Sequence, residues 1–160
     1  MNSLKKLGLA GVAAIVATAA VAGLKASGAY PANFSFATAT ALVPLTSTGA
    51  TSLSWNQGSA GKKILTFSAE CSVDAPTGNN SAWVDLDIIV NGVVVPPTVG
   101  TSDAFCGANG IAGFDAWVRP SITVVVVGAA GANTAQVRAR LNAGATGGWV
   151  SDTSTVIIDP

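Results

Sequence analysis

The chain has 160 residues, of which 49% are hydrophobic and 10% are charged, and its eight basic residues balance eight acidic ones. Because no basic cluster is present to neutralise phosphate groups, we expect no nucleic-acid partner. The sequence contains no histidine, which excludes the Ser–His–Asp and Cys–His arrangements of nucleophilic enzymes, and no Gly-x-Ser-x-Gly motif is present. We therefore expect a protein that is not an enzyme.

The N-terminus has the layout of a secretory signal peptide. Lys5 and Lys6 are followed by Leu7 to Leu24, a run without a charged residue, and by small residues that suit signal peptidase. The same run of 18 residues is just long enough to cross a bilayer core. A membrane anchor that keeps this segment is therefore the alternative, and only in that case do we expect a membrane partner.

Two bonds fit cleavage, because small residues occupy the third and the last position before each of them. One follows Ala22 and the other follows Ala29; we favour Ala29, since Lys25 then lies in the removed piece. Residues 1–29 are thus predicted to be the signal peptide and 30–160 a single domain. The predicted location is outside the cytoplasm of a bacterium, in the periplasm, at the cell surface or in the medium.

The composition after position 29 predicts an all-β fold. The whole chain holds a single Glu, whereas helices on soluble surfaces draw on Glu, Lys and Gln. Ala, Thr, Ser, Gly and Val are abundant, and β-branched residues favour strands. Short alternating segments separated by turns predict an antiparallel β-sandwich or jelly roll, preceded by the signal-peptide helix.

Alternation of apolar and polar residues predicts the individual strands. They span residues 34–43, 51–55, 62–71, 82–90, 93–95, 115–127 with an interruption at Pro120, 134–142 and 153–159. Asn91-Gly92 directly after the clearest strand predicts a hairpin, because both residues tolerate the positive φ of a type I′ turn.

Cys71 and Cys106 are the two cysteines of the chain. An even number of cysteines in an exported protein predicts a disulfide. A metal site at these residues is not expected, since the chain has no histidine and no second cysteine pair.

Asp85 and Asp87 share one face of a predicted strand, about 7 Å apart. This spacing suits the carboxylate pair of a glycosidase. Arg138 and Arg140 have the same spacing on another predicted strand, and opposite charges on neighbouring strands stabilise their pairing. We therefore favour an Asp–Arg ladder on the surface, and we expect no catalytic residue.

Calcium is the one cofactor for which the sequence offers ligands. The side-chain oxygens of Asp74, Asn79 and Asn80 lie in a turn-rich loop, and Asp85 follows shortly after them. Calcium prefers six to eight such oxygen ligands. No EF-hand spacing or calcium-binding repeat is present. We therefore expect a protein that binds no metal or cofactor, with calcium as the alternative.

The four tryptophans are Trp55, Trp83, Trp117 and Trp149. In small β domains such side chains usually fill the core or its rim, but exposed aromatic rings also stack on sugars. Trp83 shares the face of Asp85, which we expect to be solvated, and Trp149 follows two glycines in a predicted loop. Trp83, Asp85, Asp87 and Trp149 are therefore the candidate ligand-binding residues, with carbohydrate as the candidate partner.

Two apolar segments indicate an oligomer. Val124 to Val127 is apolar on both faces, so both faces are covered either by the two sheets of the domain or by another subunit. Val156 to Ile158 near the C-terminus is a second segment that suits pairing between chains.

Several stretches resemble small secreted bacterial proteins of unassigned function across residues 62 to 159. They are Trp83 to Thr98, Asp103 to Cys106, Val137 to Leu141 and Ser151 to Val156. The order of the predicted strands also resembles the jelly roll of the complement C1q and tumour necrosis factor families. This second resemblance implies a trimer and ligand binding on outer loops, and fold analogy by itself assigns no activity.

The predicted function is that of an exported, non-catalytic β-sandwich acting as a surface-structural or ligand-binding module. A carbohydrate-binding module that uses exposed tryptophans is one alternative. A membrane-anchored surface protein that retains the N-terminal helix is the other.

Overall fold

The computed structural model describes residues 23–98, 104–111 and 117–160. All the strands and turns of this part belong to an all-β fold, as the composition predicts. Residues 1–22 of the predicted signal peptide, which spans 1–29, lie outside the described residues, and its last residues from Leu24 onward belong to a β-strand. No helix in the described ranges is long and apolar enough to cross a membrane.

Eleven strands form in the described part of the chain. They are β1 (Leu24–Tyr30), β2 (Phe34–Phe36), β3 (Thr40–Leu42), β4 (Leu53–Gln57), β5 (Gly61–Asp74), β6 (Trp83–Val90), β7 (Val93–Val94), β8 (Ala104–Gly107), β9 (Ser121–Gly128), β10 (Gly131–Asn142) and β11 (Gly147–Ile158).

The strands form two antiparallel sheets, which confirms the sandwich expected from the sequence. Sheet A has the order β1-β11-β5-β9, and β2 adds to it by pairing with β11. Sheet B has the order β3-β10-β6-β7, in which β4 also pairs with β10 and β8 also pairs with β6. The long strand β10 is thus covered by two short strands on one edge, and β6 is covered by two short strands on its other edge.

The core lies between the sheets and follows the alternation of the strands. In β5 the side chains of Leu65, Phe67 and Ala69 are fully buried. Sheet B contributes Val84, Leu86 and Ile88 of β6 and a matching row from β10. Because side chains alternate across a strand, this arrangement leaves the other face of each sheet as an outer surface.

One predicted strand is wrong in its extent. The sequence predicts a single strand over 34–43, but Phe34–Phe36 joins sheet A against β11 whereas Thr40–Leu42 joins sheet B against β10. Residues 37–39 carry the chain from one sheet to the other. Alternation continues through this crossing, so periodicity cannot reveal that the two halves pair with different partners.

The predicted Asn91-Gly92 hairpin is confirmed. Asn91 and Gly92 have φ of 50° and 81°, as a type I′ turn requires. The Asn91 amide nitrogen donates to Asn133 Oδ1 at 2.8 Å, and its oxygen accepts from the Thr134 backbone at 2.9 Å. These hydrogen bonds join the turn to the start of β10.

Cys71 and Cys106 form the predicted disulfide. Their Cα atoms lie 6.0 Å apart, and both side chains are buried. Cys71 belongs to β5 of sheet A and Cys106 to β8 of sheet B. The bond therefore joins the two sheets through the core.

Reducing this bond should destabilise the protein by about 3–4 kcal/mol, because it opens a loop of 35 residues in the unfolded chain. Urea unfolding of the oxidised and the reduced protein measures the difference. A Cys71→Ala/Cys106→Ala double variant should match the reduced protein and should not respond to reductant. Equal stability of oxidised and reduced protein would contradict the expectation.

Candidate functional site

The predicted charge ladder forms on the outer face of sheet B. Arg138 lies directly opposite Asp87 across β6 and β10, and its Nε and Nη2 atoms lie 2.8 and 2.6 Å from Asp87 Oδ2. Arg140 Nη2 lies 2.5 Å from Oδ1 of the same carboxylate. One aspartate therefore holds both arginines of β10.

Asp85 has neutral partners instead. The Trp83 indole nitrogen donates to its Oδ1 at 2.9 Å, and the Asn142 amide donates to its Oδ2 at 2.6 Å. Arg140 is the residue opposite Asp85 in the register, yet its guanidinium reaches along the strand to Asp87. The ladder is thus a connected network.

The expectation that this face is solvated is wrong for its carboxylates. Asp85 is 2% exposed and Asp87 is 1% exposed, because the side chains that donate to them exclude water. All four carboxylate oxygens accept a side-chain hydrogen bond. Their geometry is that of a cross-strand clamp between β6 and β10, in which buried carboxylates are neutralised or hydrogen-bonded.

Trp149 lies on the opposite side of the sandwich from this clamp. Its neighbours Gly148 and Val150 face the core, where a side-chain carbon at Gly148 would lie within 3.0 Å of Phe36 and Val84. Trp149 therefore points outward from sheet A. The four predicted ligand-binding residues do not converge, since Trp83, Asp85 and Asp87 lie on the outer face of sheet B.

A groove of about 330 Å³ lies beside Trp149. Ser35, Asp74 and Thr146 supply polar groups to its wall, and Thr146 Oγ1 donates to Asp74 Oδ2 at 3.1 Å. The Trp149 ring extends along its own strand toward Gly147, where an added side-chain carbon would lie 4.0 Å from the ring.

Trp117 lies near the same groove. Trp149 is opposite Ser72 of β5, and on the other side of β5 the antiparallel bridge between Cys71 and Val118 places Trp117 beside Ser72. Because β5 lies between the two tryptophans, their backbones are two inter-strand distances apart, which is about 10 Å. Trp117 is 41% exposed. The sequence did not single it out, because spacing along the chain cannot reveal a shared face across strands.

The other end of the same outer face is aliphatic. Val125 is opposite Ile64, Ile64 is opposite Ile158, and Ile158 is opposite Leu24. These four side chains form a row across all four strands of the main path of sheet A, which we call the aliphatic row. Leu24 is 64% exposed and Val125 is 58% exposed. Val127, at 68%, and Val156 lie next to the row on the same face.

The two apolar segments noted in the sequence therefore meet in space. Val124 and Val126 are buried in the core, whereas Val125 and Val127 point outward and are uncovered. The C-terminal segment divides in the same way, since Ile157 is fully buried and Val156 and Ile158 face outward. The sequence allowed these segments to be covered by the opposite sheet of the domain or by another subunit. In the described structure the opposite sheet covers their inward face, and their outward face is exposed.

The residues considered for calcium have different partners. Asp74 interacts with Thr146 on the side of sheet A, whereas Asp85 belongs to the clamp on sheet B. Asn79 donates to the Ala143 carbonyl at 2.9 Å and accepts from the Ser81 backbone at 3.1 Å. Among the described residues, no three acidic or cysteine side chains are grouped as a metal site would need.

Comparison with known proteins does not add to this description. Neither the protein-family models nor the curated proteins contain a match to the chain. The site must therefore be argued from the geometry alone.

Asp87→Asn should destabilise the protein by about 2–3 kcal/mol, because two arginines lose the charge that neutralises them. Asp85→Asn keeps one oxygen that can accept from the Trp83 indole or the Asn142 amide and should cost about 1 kcal/mol. Urea unfolding followed by tryptophan fluorescence measures both. If Asp85→Asn lowered the free energy of unfolding as much as Asp87→Asn or more, the clamp would be contradicted.

Proposed function

We propose that this protein is an exported bacterial surface module that assembles with copies of itself through the outer face of sheet A. The aliphatic row is the single observation that carries the proposal. Exposed apolar side chains are ordinary when they are scattered, but a contiguous group of them on a soluble protein marks a surface that is covered in use.

A second copy of the chain is the occupant that fits this surface best. The row runs across a whole sheet, and the outer faces of two sheets can pack together about 10 Å apart. The side chains that flank the row on the next register are Thr66 and Thr123, which hydrogen-bond to each other at 3.0 Å. On the other side of the row the exposed Lys62 lies opposite Val127, so the neutral part of the surface consists of the row and its threonine flank.

The strand order supports a trimer as the assembled form. When β1 with β2, β3 with β4, and β7 with β8 are each counted as one strand, sheet A has the order 1-8-3-6 and sheet B the order 2-7-4-5. This is the order of an eight-stranded jelly roll built from two Greek keys. The sequence resemblance to the complement C1q and tumour necrosis factor type implies a trimer for such a fold, and the aliphatic row supplies a surface for it.

The disulfide supports the proposed location outside the cytoplasm. Cystine persists in oxidising compartments and is rare in the cytosol. The signal peptide that the sequence predicts within residues 1–29 is consistent with the same location.

The assembly is tested with the full chain, expressed in a bacterium with its own N-terminal segment and purified from the extracytoplasmic fraction. Light scattering after size exclusion should give a discrete trimer. Val127→Lys should lower the mass about three-fold, since burying an unpaired ammonium group is costly.

Val93→Lys is the matched control, because Val93 is also 68% exposed but lies in the β6–β7 hairpin of sheet B. It should remain a trimer. A monomeric wild-type protein would overturn the proposal, and so would dissociation by Val93→Lys and Val127→Lys alike. A dimer would retain the surface but overturn the jelly-roll trimer.

Carbohydrate binding is a second candidate function, favoured by the groove beside Trp149 and by Trp117, which lies across β5 from Trp149. Aromatic rings stack on the apolar faces of sugars, while the carboxylate of Asp74 and the nearby hydroxyl groups suit sugar hydroxyls. The expected ligand is a neutral polysaccharide that lies along the outer face of sheet A, at the end away from the aliphatic row.

Trp149→Ala and Trp117→Ala should each weaken binding to insoluble neutral polysaccharides at least ten-fold in a pull-down assay. Their urea midpoints should differ from that of the wild-type protein by no more than is usual for a surface substitution. Trp83→Phe serves as the control, because Trp83 lies on sheet B. No binding by the wild-type protein, or equal loss with all three variants, would remove this candidate.

A further inference from the structure

The first described strand is an integral part of sheet A. Residues of β1 pair with β11 from Leu24↔Ile158 to Tyr30↔Thr153. Ala26 packs against the core. At Gly28 an added side-chain carbon would lie 2.4 Å from the Leu45 carbonyl oxygen, so β1 approaches the neighbouring loop as closely as a glycine allows.

Ion pairs also hold the start of β1 in place. Lys25 Nζ lies 2.7 Å from Asp159 Oδ2, and Lys63 Nζ lies 3.0 Å from Oδ1 of the same carboxylate. These hydrogen bonds, first that of Lys25, hold the pKa of Asp159 below its ordinary value of 3.8. The Asp159 backbone nitrogen also donates to the Gly23 carbonyl at 2.9 Å.

Cleavage after Ala29 would remove six of the seven residues of β1. It would also remove Lys25 from Asp159 and leave the outer edge of β11 unpaired along its C-terminal half. Cleavage after Ala22 would remove none of these contacts. The sequence offered both bonds, and the pairing of β1 distinguishes between them.

We infer that signal peptidase hydrolyses the Ala22–Gly23 bond, so that the mature protein begins at Gly23 and keeps β1. The inference rests on the proposed export. Water supplies the hydroxyl group that joins the Ala22 carbonyl carbon and the proton that joins the Gly23 nitrogen, and the new amine is protonated at neutral pH.

The new ammonium group forms beside a carboxylate. A side-chain carbon at Gly23 would lie 3.3 Å from Asp159 Oδ2, and the amine is attached to the same α-carbon. Processing at this bond therefore leaves a positive charge near Asp159. The mature N-terminus is an ordered end of sheet A that lies next to the aliphatic row.

The N-terminal residue of the exported protein tests the inference directly. Edman sequencing or intact mass should give Gly23 for the wild-type protein. Ala29→Phe should give the same start, because Ala29 is exposed on β1 and is not the processed residue. Ala22→Phe should block processing, since signal peptidase requires a small residue at that position.

The outcomes separate this inference from the proposed export. An exported protein that begins at Tyr30, or processing blocked by Ala29→Phe and not by Ala22→Phe, overturns the inference alone. A precursor that remains in the cytoplasm overturns the proposed export. A full-length chain held in the membrane overturns the inference and favours the anchored alternative.

Gly28→Val supplies a second and independent measurement. If β1 is retained, the added methyl groups must displace the Leu45 carbonyl, and the urea midpoint of the mature protein falls. If the mature chain begins at Tyr30, residue 28 has been removed, and the purified variant has the wild-type midpoint. An unchanged midpoint therefore overturns the inference even where the N-terminus is blocked to sequencing.

Discussion

The backbone pairing of β5 with β11 is the interaction on which the rest of the structure depends. Ten residue pairs join the two strands, five on each side of a register shift in β11, and each strand carries a further neighbour on its free edge, β9 and β1. A slip of one residue would turn Leu65, Phe67 and Ile157 outward and the aliphatic row inward, because side chains alternate along a strand. The core and the proposed interaction surface are therefore two consequences of the same register.

A bulge in β11 divides that strand into two halves with different properties. The register shifts between Ser151 and Ser154, where Asp152 has a φ of 47°. Before the bulge Val150 faces the core, and after it Thr153 and Ile157 do. The extra residue changes the parity of the strand, so that Trp149 marks one end of the outer face and the aliphatic row marks the other.

The two sheets use their outer faces differently. On sheet B the carboxylates of β6 are buried and bind side chains of β10, whose arginines remain partly exposed, and these contacts stabilise the pairing of the two strands. On sheet A the aliphatic side chains have no such covering within the described residues. The start of β1 and the end of β11 also lie at this aliphatic end, since they pair with each other. The proposed processing site and the proposed assembly surface therefore lie at the same end of sheet A.

The sequence by itself determined the all-β class, the disulfide and the Asn91-Gly92 hairpin. These features follow from local rules of composition, turn geometry and alternation. It also anticipated the pairing of Asp87 with Arg138 and Arg140, but it did not foresee that Trp83 and Asn142 donate to Asp85, and it placed both carboxylates in solvent. Burial depends on which side chains close over a carboxylate, and this cannot be obtained from the spacing of charges.

Only the tertiary structure decided which strands are neighbours. It separated 34–36 from 40–42 into different sheets, placed Trp117 beside Trp149 across β5, and joined residues 24, 64, 125 and 158 into one row. It also gave β1 to the domain, although the sequence had favoured its removal. The physical reason is that the contacts that create a surface here link residues far apart in the chain, whereas periodicity reports only which face of its own strand a residue occupies.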